Sequence, residues 1–206
     1  TVAHGGSTTI KEGEIPSQFY IVQSRRAIPY EFGHTNWNKK IYMQAAQKLE
    51  NQRNSSLINF DARLFQIEKK KDEFDKLLNQ VLGQDFDWTI EQRDSGNYYI
   101  KCKCQNVMHS SEGIGDGIWS IFTICAALFD SEPESVIVID EPELSVHPAL
   151  QKKLMRLLLS YSGRMQIIIS THSPYFIDWE AITNGAQLIR VVKEGANSKC
   201  YSITEY

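Results

Sequence analysis

The sequence predicts an α/β fold, with a buried, mainly parallel sheet flanked by helices, and with a helical arm and a β-hairpin added to it. Residues 136–139 and 166–169 are continuous apolar runs of the kind found in strands that are buried on both faces of a parallel sheet. Residues 149–160 lie between them and place four leucines on one helical face. Strand, helix and strand form a βαβ unit, whose crossover is almost always right-handed. Alternating apolar residues over 86–104, interrupted by a turn at 94–97, predict the hairpin.

The first part of the chain is less regular. Residues 1–16 are rich in Gly, Ser and Thr and predict a loop, and residues 19–22 predict a short strand. Residues 37–82 are polar with helical periodicity, and Gly83 is placed to end the last helix. Two helical faces are predicted along this arm, and their residues are Ile41, Ala45, Lys48 and Leu49 for the first, and Leu64, Ile67, Phe74, Leu77, Leu78 and Val81 for the second. A glycine-containing loop after residue 104 leads into an apolar helix over residues 118–129.

Composition excludes some classes of protein. The 206 residues carry a net charge of −3, with 42% hydrophobic and 23% charged residues, as in an ordinary globular domain. No apolar run reaches the roughly 20 residues of a membrane-spanning helix, and no signal peptide is present, so we expect a cytoplasmic protein and no membrane partner. The four cysteines fit no disulfide framework. Cys102 and Cys104 share one face of a predicted strand, so metal ligation is the alternative to free thiols.

Two acidic residues follow the first buried run directly. Asp140 and Glu141 therefore lie at the carboxyl end of a strand, which is where ligands bind in open α/β sheets. Carboxylates at such a position suit a hydrated Mg²⁺ with phosphate, with Asp140 on the metal and Glu141 polarising a water molecule. The alternative is an apolar strand that simply runs into an acidic turn.

A histidine follows the second buried run. His172 lies in the segment Ser-Thr-His-Ser-Pro after residue 169, so a parallel sheet places it on the same rim as Asp140 and Glu141. A neutral imidazole at this position can donate a hydrogen bond to a terminal phosphate oxygen. The alternative is an ordinary polar loop residue.

Residues 110–117 supply hydroxyl groups and glycines directly before the predicted helix at 118–129. The free N–H groups and positive dipole end of a helix N-terminus bind anions, and glycine permits a close approach of the backbone. On its own, an ordinary capping turn explains this pattern equally well.

The order of these segments resembles the ATP-binding cassette superfamily. Within it, the sequence looks like the RecF/SMC-like branch and the OLD (overcoming lysogenisation defect) and related phage-defence ATPases. Residues 111–113 resemble the signature motif and residues 136–141 the Walker B motif. Residues 144–148 resemble the D-loop in the "EPE-L-x-x-HP-x-L-Q" form, with Glu143, Leu150 and Gln151 also matching, and residues 167–174 resemble the "STHSP" switch. The resemblance covers residues 107–192.

The resemblance implies roles for individual residues. It implies catalysis by Glu141 and His172, a metal at Asp140, and nucleotide contacts from Ser111, Gly113, Ser145 and His147. It implies ATP and Mg²⁺ as cofactors and a second ATPase head as partner, as a homodimer or higher oligomer. DNA and a nuclease domain or chain are further partners that this branch suggests. The sequence departs from the signature pattern at Glu112, where glycine is common.

The resemblance also implies a domain organisation. Residues 1–36 are expected to form the N-terminal loop and strand of a truncated head, residues 37–84 an inserted helical arm, and residues 85–206 the signature-to-switch lobe. The phosphate-binding loop G-x-x-x-x-G-K-[ST] does not occur in the sequence. We therefore expect the lobe that carries this loop to be missing from the chain, and the chain alone to bind ATP poorly.

Two functions follow as hypotheses. The first is a partial ATP-hydrolysing head of a DNA-directed or anti-phage-defence ATPase. The alternative is an interaction or dimerisation module that hydrolyses nothing. No acidic nuclease cluster fits in the fifteen residues after Val191, so no nuclease activity is assigned to this chain.

Three other features have structural and functional readings. Arg25 and Arg26 suit phosphate or DNA, or a structural salt bridge beside the first strand. The charged run 68–73 is read as a solvated helix face rather than a nucleic-acid contact. The tryptophans are expected in the core or at domain contacts, and they are Trp37, Trp88, Trp119 and Trp179.

Overall fold

The computed structural model describes residues 19–26, 31–32, 38–41, 44, 60–83, 86–104, 107–110 and 113–203. The chain forms two compact units, residues 1–172 and residues 173–206, which are described separately. The elements in chain order are β1 (Phe19–Val22), α1 (Phe60–Glu68), α2 (Lys71–Leu82), β2 (Phe86–Gln92), β3 (Tyr98–Cys104), β4 (Val107–Ser110), α3 (Asp116–Phe129), β5 (Val136–Asp140), α4 (Pro148–Tyr161), β6 (Gln166–Ser170), α5 (Trp179–Thr183), β7 (Ile189–Glu194) and β8 (Asn197–Ser202).

A parallel sheet lies at the centre of the first unit. Its strand order is β1-β5-β6, and both strand pairs are parallel. Helix α4 connects β5 to β6, which confirms the predicted βαβ unit. The ladder between β5 and β6 ends at the pair Asp140 and Ser170, so both strands finish at the same rim.

The two predicted apolar strands differ in burial. In β5, Ile137 and Ile139 are fully buried, as expected for a central strand. The expectation that residues 166–169 are buried on both faces is wrong, because Ile168 is 45% exposed and Gln166 and Ser170 are exposed too. The reason is topological: β6 is at the edge of the described sheet, with β5 beside it.

Helices α2 and α3 supply most of the core around the sheet. Helix α3 is buried along almost its whole length, from Trp119 to Leu128. The aromatic rings of Phe74, Trp88 and Phe122 contact one another edge to face, with centroids 5.0–5.8 Å apart. Such contacts join α2, α3 and β2 into one core.

The helical arm is confirmed in its second half. All six residues of the second predicted face are buried, and they are Leu64, Ile67, Phe74, Leu77, Leu78 and Val81. Gly83 ends α2 in the left-handed region, with φ 68°, and donates its N–H to the carbonyl of Asn79. Of the first predicted face, Ile41 is helical but 44% exposed, and Ala45, Lys48 and Leu49 lie outside the described residues.

The charged run 68–73 does not form one helix face. It spans the turn between α1 and α2, and most of its side chains are exposed. Glu68 accepts a hydrogen bond from Lys39, and Lys71 pairs with Asp75 and Asp87. Burial lowers the pKa of Lys71, but the hydrogen bonds to the two aspartates outweigh it, so the pKa is raised overall.

The predicted hairpin is confirmed as β2 and β3, with register from Phe86–Cys104 to Gln92–Tyr98. A third antiparallel strand, β4, follows where a loop was expected. Its sequence gives no strand signal, because the two apolar residues Val107 and Met108 are adjacent and do not alternate with polar residues. Both of these side chains are exposed. Trp88 and Cys102, which are paired across β2 and β3, are both buried.

The second unit contains α5 and the antiparallel pair β7 and β8, which runs from Ile189–Ser202 to Glu194–Asn197. Trp179, at the start of α5, is 62% exposed, so it does not lie in a core, and the other expected position, a domain contact, stays a prediction for this tryptophan. Trp119 is buried in the first unit as predicted, and Trp37 lies outside the described residues. Among the described residues no helix is both long and apolar enough to cross a membrane.

Candidate active site

The two predicted acidic residues lie at the carboxyl end of β5. Asp140 is the last residue of the strand and is half-buried. Glu141 follows in the left-handed region, with φ 45°, and donates its N–H to the carbonyl of Ser170 over 2.8 Å. A positive φ is costly for a residue other than glycine and is often found at functional sites. The turn directs the chain away from the sheet directly after the acidic pair.

His172 lies at the end of the neighbouring strand, two residues after β6. Its Nε2 is 3.9 Å from Oε1 of Glu141, and its side chain is 90% exposed. This distance is longer than a hydrogen bond, so the imidazole and the carboxylate face each other without being fixed to each other. The structure therefore brings together Asp140, Glu141 and His172 on one rim.

Glu143 makes a second connection between the two strand ends. Its Oε2 accepts a hydrogen bond from Oγ1 of Thr171, and its Oε1 accepts one from the backbone N–H of His172, both over 2.7 Å. The sequence indicated Glu143 only as part of a motif match. Its position three residues after a strand end, opposite a second strand end, is the signal that could have identified it.

Arg26 is buried and contacts the main chain of the same rim. Its guanidinium donates to the carbonyl oxygens of Asp140 over 2.5 Å and Glu141 over 2.8 Å, and to Oγ of Ser120 over 2.5 Å. Burial lowers the pKa of Arg26 to about 10, although the nearby carboxylates of Asp140, Glu143 and Glu141 raise it. The group is still charged at neutral pH and offsets part of the negative charge of the rim.

This geometry decides between the two readings of Arg26. A side chain that is buried and hydrogen-bonded to the main chain of the rim has a structural role and is not available to DNA. It is not the salt bridge that the sequence suggested, because the acceptors are two carbonyl groups and a hydroxyl group. Arg25 is exposed.

The predicted D-loop is a tight turn that leads into α4. The N–H of Leu144 donates to the carbonyl of Glu141, and Ser145 is in the left-handed region with φ 61°. His147 is the N-cap of α4, and its Nδ1 accepts a hydrogen bond from the N–H of Ala149 over 3.2 Å. Ser145 and His147 are both exposed, on the chain that follows the acidic pair.

The signature segment is described only in part. Ser111 and Glu112 lie outside the described residues, and Gly113 is in a turn before α3. A Cβ atom on Gly113 would be 3.3 Å from Nδ1 of His109, and a Cβ atom on Gly117 would be 2.3 Å from the carbonyl oxygen of Ser145. The first turn of α3 therefore lies directly against the D-loop.

The oxygen donors at the rim suit Mg²⁺, which prefers carboxylate, phosphate and water ligands. Within the part of the chain that the structure describes, no group of three or more His, Cys, Asp or Glu residues is arranged to hold a metal ion. In phosphate sites Mg²⁺ usually takes one or two protein carboxylates and completes its coordination with phosphate and water.

The fold is similar to that of solved SMC heads. The chain is similar to the SMC head bound to the C-winged helix domain of ScpA, with TM-score 0.55 and 16% identity over 81% of this chain and 49% of that one. It is also similar to a structure from work on ATP-driven dimerization and DNA-stimulated activation of SMC ATPases, with TM-score 0.53 and 16% identity over 81% of this chain and 89% of that one. At this identity the likeness concerns the fold, which is that of an SMC ATPase head.

The sequence comparisons identify the family. The model of the family described as "AAA domain, putative AbiEii toxin, Type IV TA system" matches residues 16–178, and the chain belongs to that family. A curated relative, the OLD nuclease of Thermus scotoductus (strain ATCC 700910 / SA-01), is 27% identical over 176 residues. The match covers 78% of this chain and 30% of the relative, so the chain spans less than a third of that protein's length. These findings confirm the resemblance to OLD-related ATPases of the RecF/SMC-like branch.

Proposed function

We propose that this chain supplies the acidic, signature and switch segments of an ATP-hydrolysing head. The observation that carries the proposal is the pairing of strand ends, with Asp140 as the last residue of β5, Glu141 directly after it, and His172 after β6, 3.9 Å from Glu141. Membership of an AAA-domain family supports an ATPase-type function for this rim. Nucleotide binding and dependence on Mg²⁺ follow from such a function.

Each rim residue has a role in this proposal. Bound Mg²⁺ would neutralise charge on the phosphate groups, and Asp140 is the carboxylate that we assign to hold it. Glu141 is partly exposed and turned out of the sheet, so its carboxylate can accept a proton from an attacking water. His172 can donate a hydrogen bond from its exposed imidazole to a terminal phosphate oxygen.

The remaining part of a nucleotide site is not among these 206 residues. The sequence contains no phosphate-binding loop of the form G-x-x-x-x-G-K-[ST]. We propose that this loop comes from another segment of the natural protein or from a partner chain. Ser111, Gly113, Ser145 and His147 would then contact a nucleotide held by a second head, so that the heads dimerise around Mg·ATP.

The wider role is proposed from the relatives. The relative from Thermus is named a nuclease, and one of the two SMC structures comes from work on DNA-stimulated activation of SMC ATPases. We propose a DNA-directed or anti-phage-defence machine in which a nuclease domain or chain accompanies the head. One observation favours a second candidate, an interaction module without hydrolysis, and it is the missing phosphate-binding loop.

The deciding experiment compares binding and turnover of Mg·ATP by the 206-residue chain and by the full-length product of its gene. Turnover that requires the full-length product and is lost in Asp140→Asn supports the head proposal. Turnover in neither sample, together with concentration-dependent self-association of both, contradicts it and supports the interaction module. Glu132→Gln is the matched control, because Glu132 is exposed and lies before β5 rather than after it.

A further inference from the structure

The carboxylate of Glu143 has both of its oxygen atoms in use as hydrogen-bond acceptors. The two donors are Oγ1 of Thr171 and the backbone N–H of His172, which come from consecutive residues of the other strand end. Both distances are 2.7 Å, which is short for an N–H donor and in the usual range for a hydroxyl group. A carboxyl group can accept hydrogen bonds on each of its two oxygen atoms. Glu143 therefore holds two neighbouring residues at once.

These bonds lie where the sheet itself no longer connects the two strands. The ladder between β5 and β6 ends at Asp140 and Ser170, and the last main-chain bond joins the N–H of Glu141 to the carbonyl of Ser170. His172 is two residues farther on and is not part of any strand. Glu143 continues the connection past the end of the ladder.

Packing contributes little to the position of the His172 side chain, which is 90% exposed. A side chain without packing is placed mainly by its own main chain. The main chain of His172 is held by Glu143 through its N–H and through the neighbouring Thr171. The distance of 3.9 Å between the side chains of His172 and Glu141 thus depends on Glu143. Glu143 bonds to the main chain of His172 and to Thr171, and not to the imidazole or to the carboxylate of Glu141.

We propose that Glu143 is a positioning residue, which fixes the main chain of the switch segment so that the imidazole of His172 faces Glu141. The proposal rests on the proposed function, because positioning matters only if Glu141 and His172 act on a nucleotide. It assigns Glu143 no contact with the metal or with the attacking water. Its two oxygen atoms are already used by protein donors, whereas the side chain of Glu141 is 37% exposed.

The test compares two substitutions at the same position. Glu143→Gln can keep both contacts, because the amide oxygen accepts from the His172 N–H and the amide nitrogen donates to the Thr171 hydroxyl, which can turn to accept. Glu143→Ala removes both. A positioning role predicts that Ala lowers kcat roughly 10- to 100-fold with little change in KM for ATP, and that Gln restores most of it. A charge-dependent role, as metal ligand or base, predicts that Gln is as damaging as Ala, and that result would overturn the proposal.

A second readout does not depend on turnover. Amide hydrogen exchange in the full-length protein, followed on peptides that contain residues 170–174, should be faster by at least about tenfold at His172 in Glu143→Ala and close to wild type in Glu143→Gln. Glu132→Ala is the control and should change neither readout. Unchanged exchange in Glu143→Ala would overturn the positioning role. If the wild-type protein has no ATP turnover, the proposed function fails, and the exchange rates still decide whether Glu143 holds the switch segment.

Discussion

The carbonyl oxygen of Ser145 occupies the space in which a side chain on Gly117 would begin. A Cβ atom on Gly117 would lie 2.3 Å from that oxygen and 3.6 Å from Cα of Val146. The contact joins the first turn of α3, directly after the signature segment, to the D-loop. Because both partners at this point are backbone, neither side can yield by a change of rotamer. The contact therefore limits how closely the two segments can approach each other.

The first prediction concerns this contact. Gly117→Ala should lower the free energy of unfolding, because forcing extra atoms into a packed site usually costs about 1–3 kcal/mol. The gain in helix propensity, about 1 kcal/mol, offsets part of this cost, so the expected net loss is about 1–2 kcal/mol. Urea unfolding followed by circular dichroism measures the change.

Gly163→Ala is the matched control for Gly117→Ala. A Cβ atom on Gly163 would have no atom within 4 Å, so the free energy of unfolding should change by no more than about 0.5 kcal/mol. Equal effects of the two substitutions would show that the contact with Ser145 is not a constraint.

The second prediction concerns Arg26. Arg26→Ala removes the donors to the carbonyl groups of Asp140 and Glu141 and to the hydroxyl group of Ser120, in a buried position. Buried acceptors without donors are costly, so the free energy of unfolding should fall by about 2–5 kcal/mol. Arg26→Lys should recover little, because an ammonium group cannot reproduce the fork of a guanidinium group.

The neighbouring residue provides the control for Arg26. Arg25 is exposed, and Arg25→Ala should change the free energy of unfolding by no more than about 0.5 kcal/mol. If Arg26→Ala were as mild as Arg25→Ala in the same urea titration, the support of the rim by Arg26 would be refuted.

The third prediction concerns Glu141 as general base. In the full-length protein, Glu141→Gln should lower ATP turnover roughly 10²- to 10⁴-fold while nucleotide binding is retained, because the amide has the same shape but accepts no proton. Steady-state turnover and equilibrium binding of labelled ATP measure the two effects separately. Equal turnover by Glu141→Gln and by the control Glu132→Gln would remove Glu141 from the mechanism.

The sequence predicted the parts of the fold that depend on local pattern. The strands β5 and β6, the helix between them and the hairpin at residues 86–104 all have continuous or alternating apolar residues. The proximity of Glu141 and His172 was also predictable, because the carboxyl ends of adjacent parallel strands meet at one rim. That step needed only the βαβ unit and the position of two residues after their strands.

The sequence could not predict contacts that join distant segments. Arg26 reaches the carbonyl of Asp140 across 114 residues of chain, and no periodicity encodes such a hydrogen bond. The exposure of Ile168 could not be predicted either, since an apolar run has the same pattern in a central strand and in an edge strand. The two bonds of Glu143 depend on the geometry of a turn with two residues at positive φ, Glu141 and Ser145, which local composition does not indicate.

The fourth prediction concerns the cysteines. Burial raises the pKa of the Cys125 thiol far above its usual value, so this group stays protonated, and also covered, at pH 8. Cys200 is exposed. Because the thiolate is the reactive form, a maleimide reagent at pH 8 should label Cys200 within minutes and Cys125 only after unfolding. Peptide mapping of the labelled protein checks this, and rapid labelling of Cys125 in the native protein would contradict its burial in α3.

The fifth prediction tests whether the signature segment acts on a second head. Ser111 follows β4 directly and precedes Gly113, in the segment that leads to the N-terminus of α3. If this segment contacts a nucleotide held by another head, a bulky cation in place of the small hydroxyl side chain should block engagement of the two heads. Ser111→Arg should therefore abolish ATP-induced dimerisation of the full-length protein, as measured by light scattering, and leave the urea midpoint close to wild type.

Ser162→Arg is the matched control for Ser111→Arg. Ser162 is exposed at the far end of α4, so this variant should still dimerise with ATP. Dimers of Ser111→Arg that form with ATP as readily as those of Ser162→Arg would refute a signature contact across the dimer, while leaving the roles of Glu141 and His172 within one head intact.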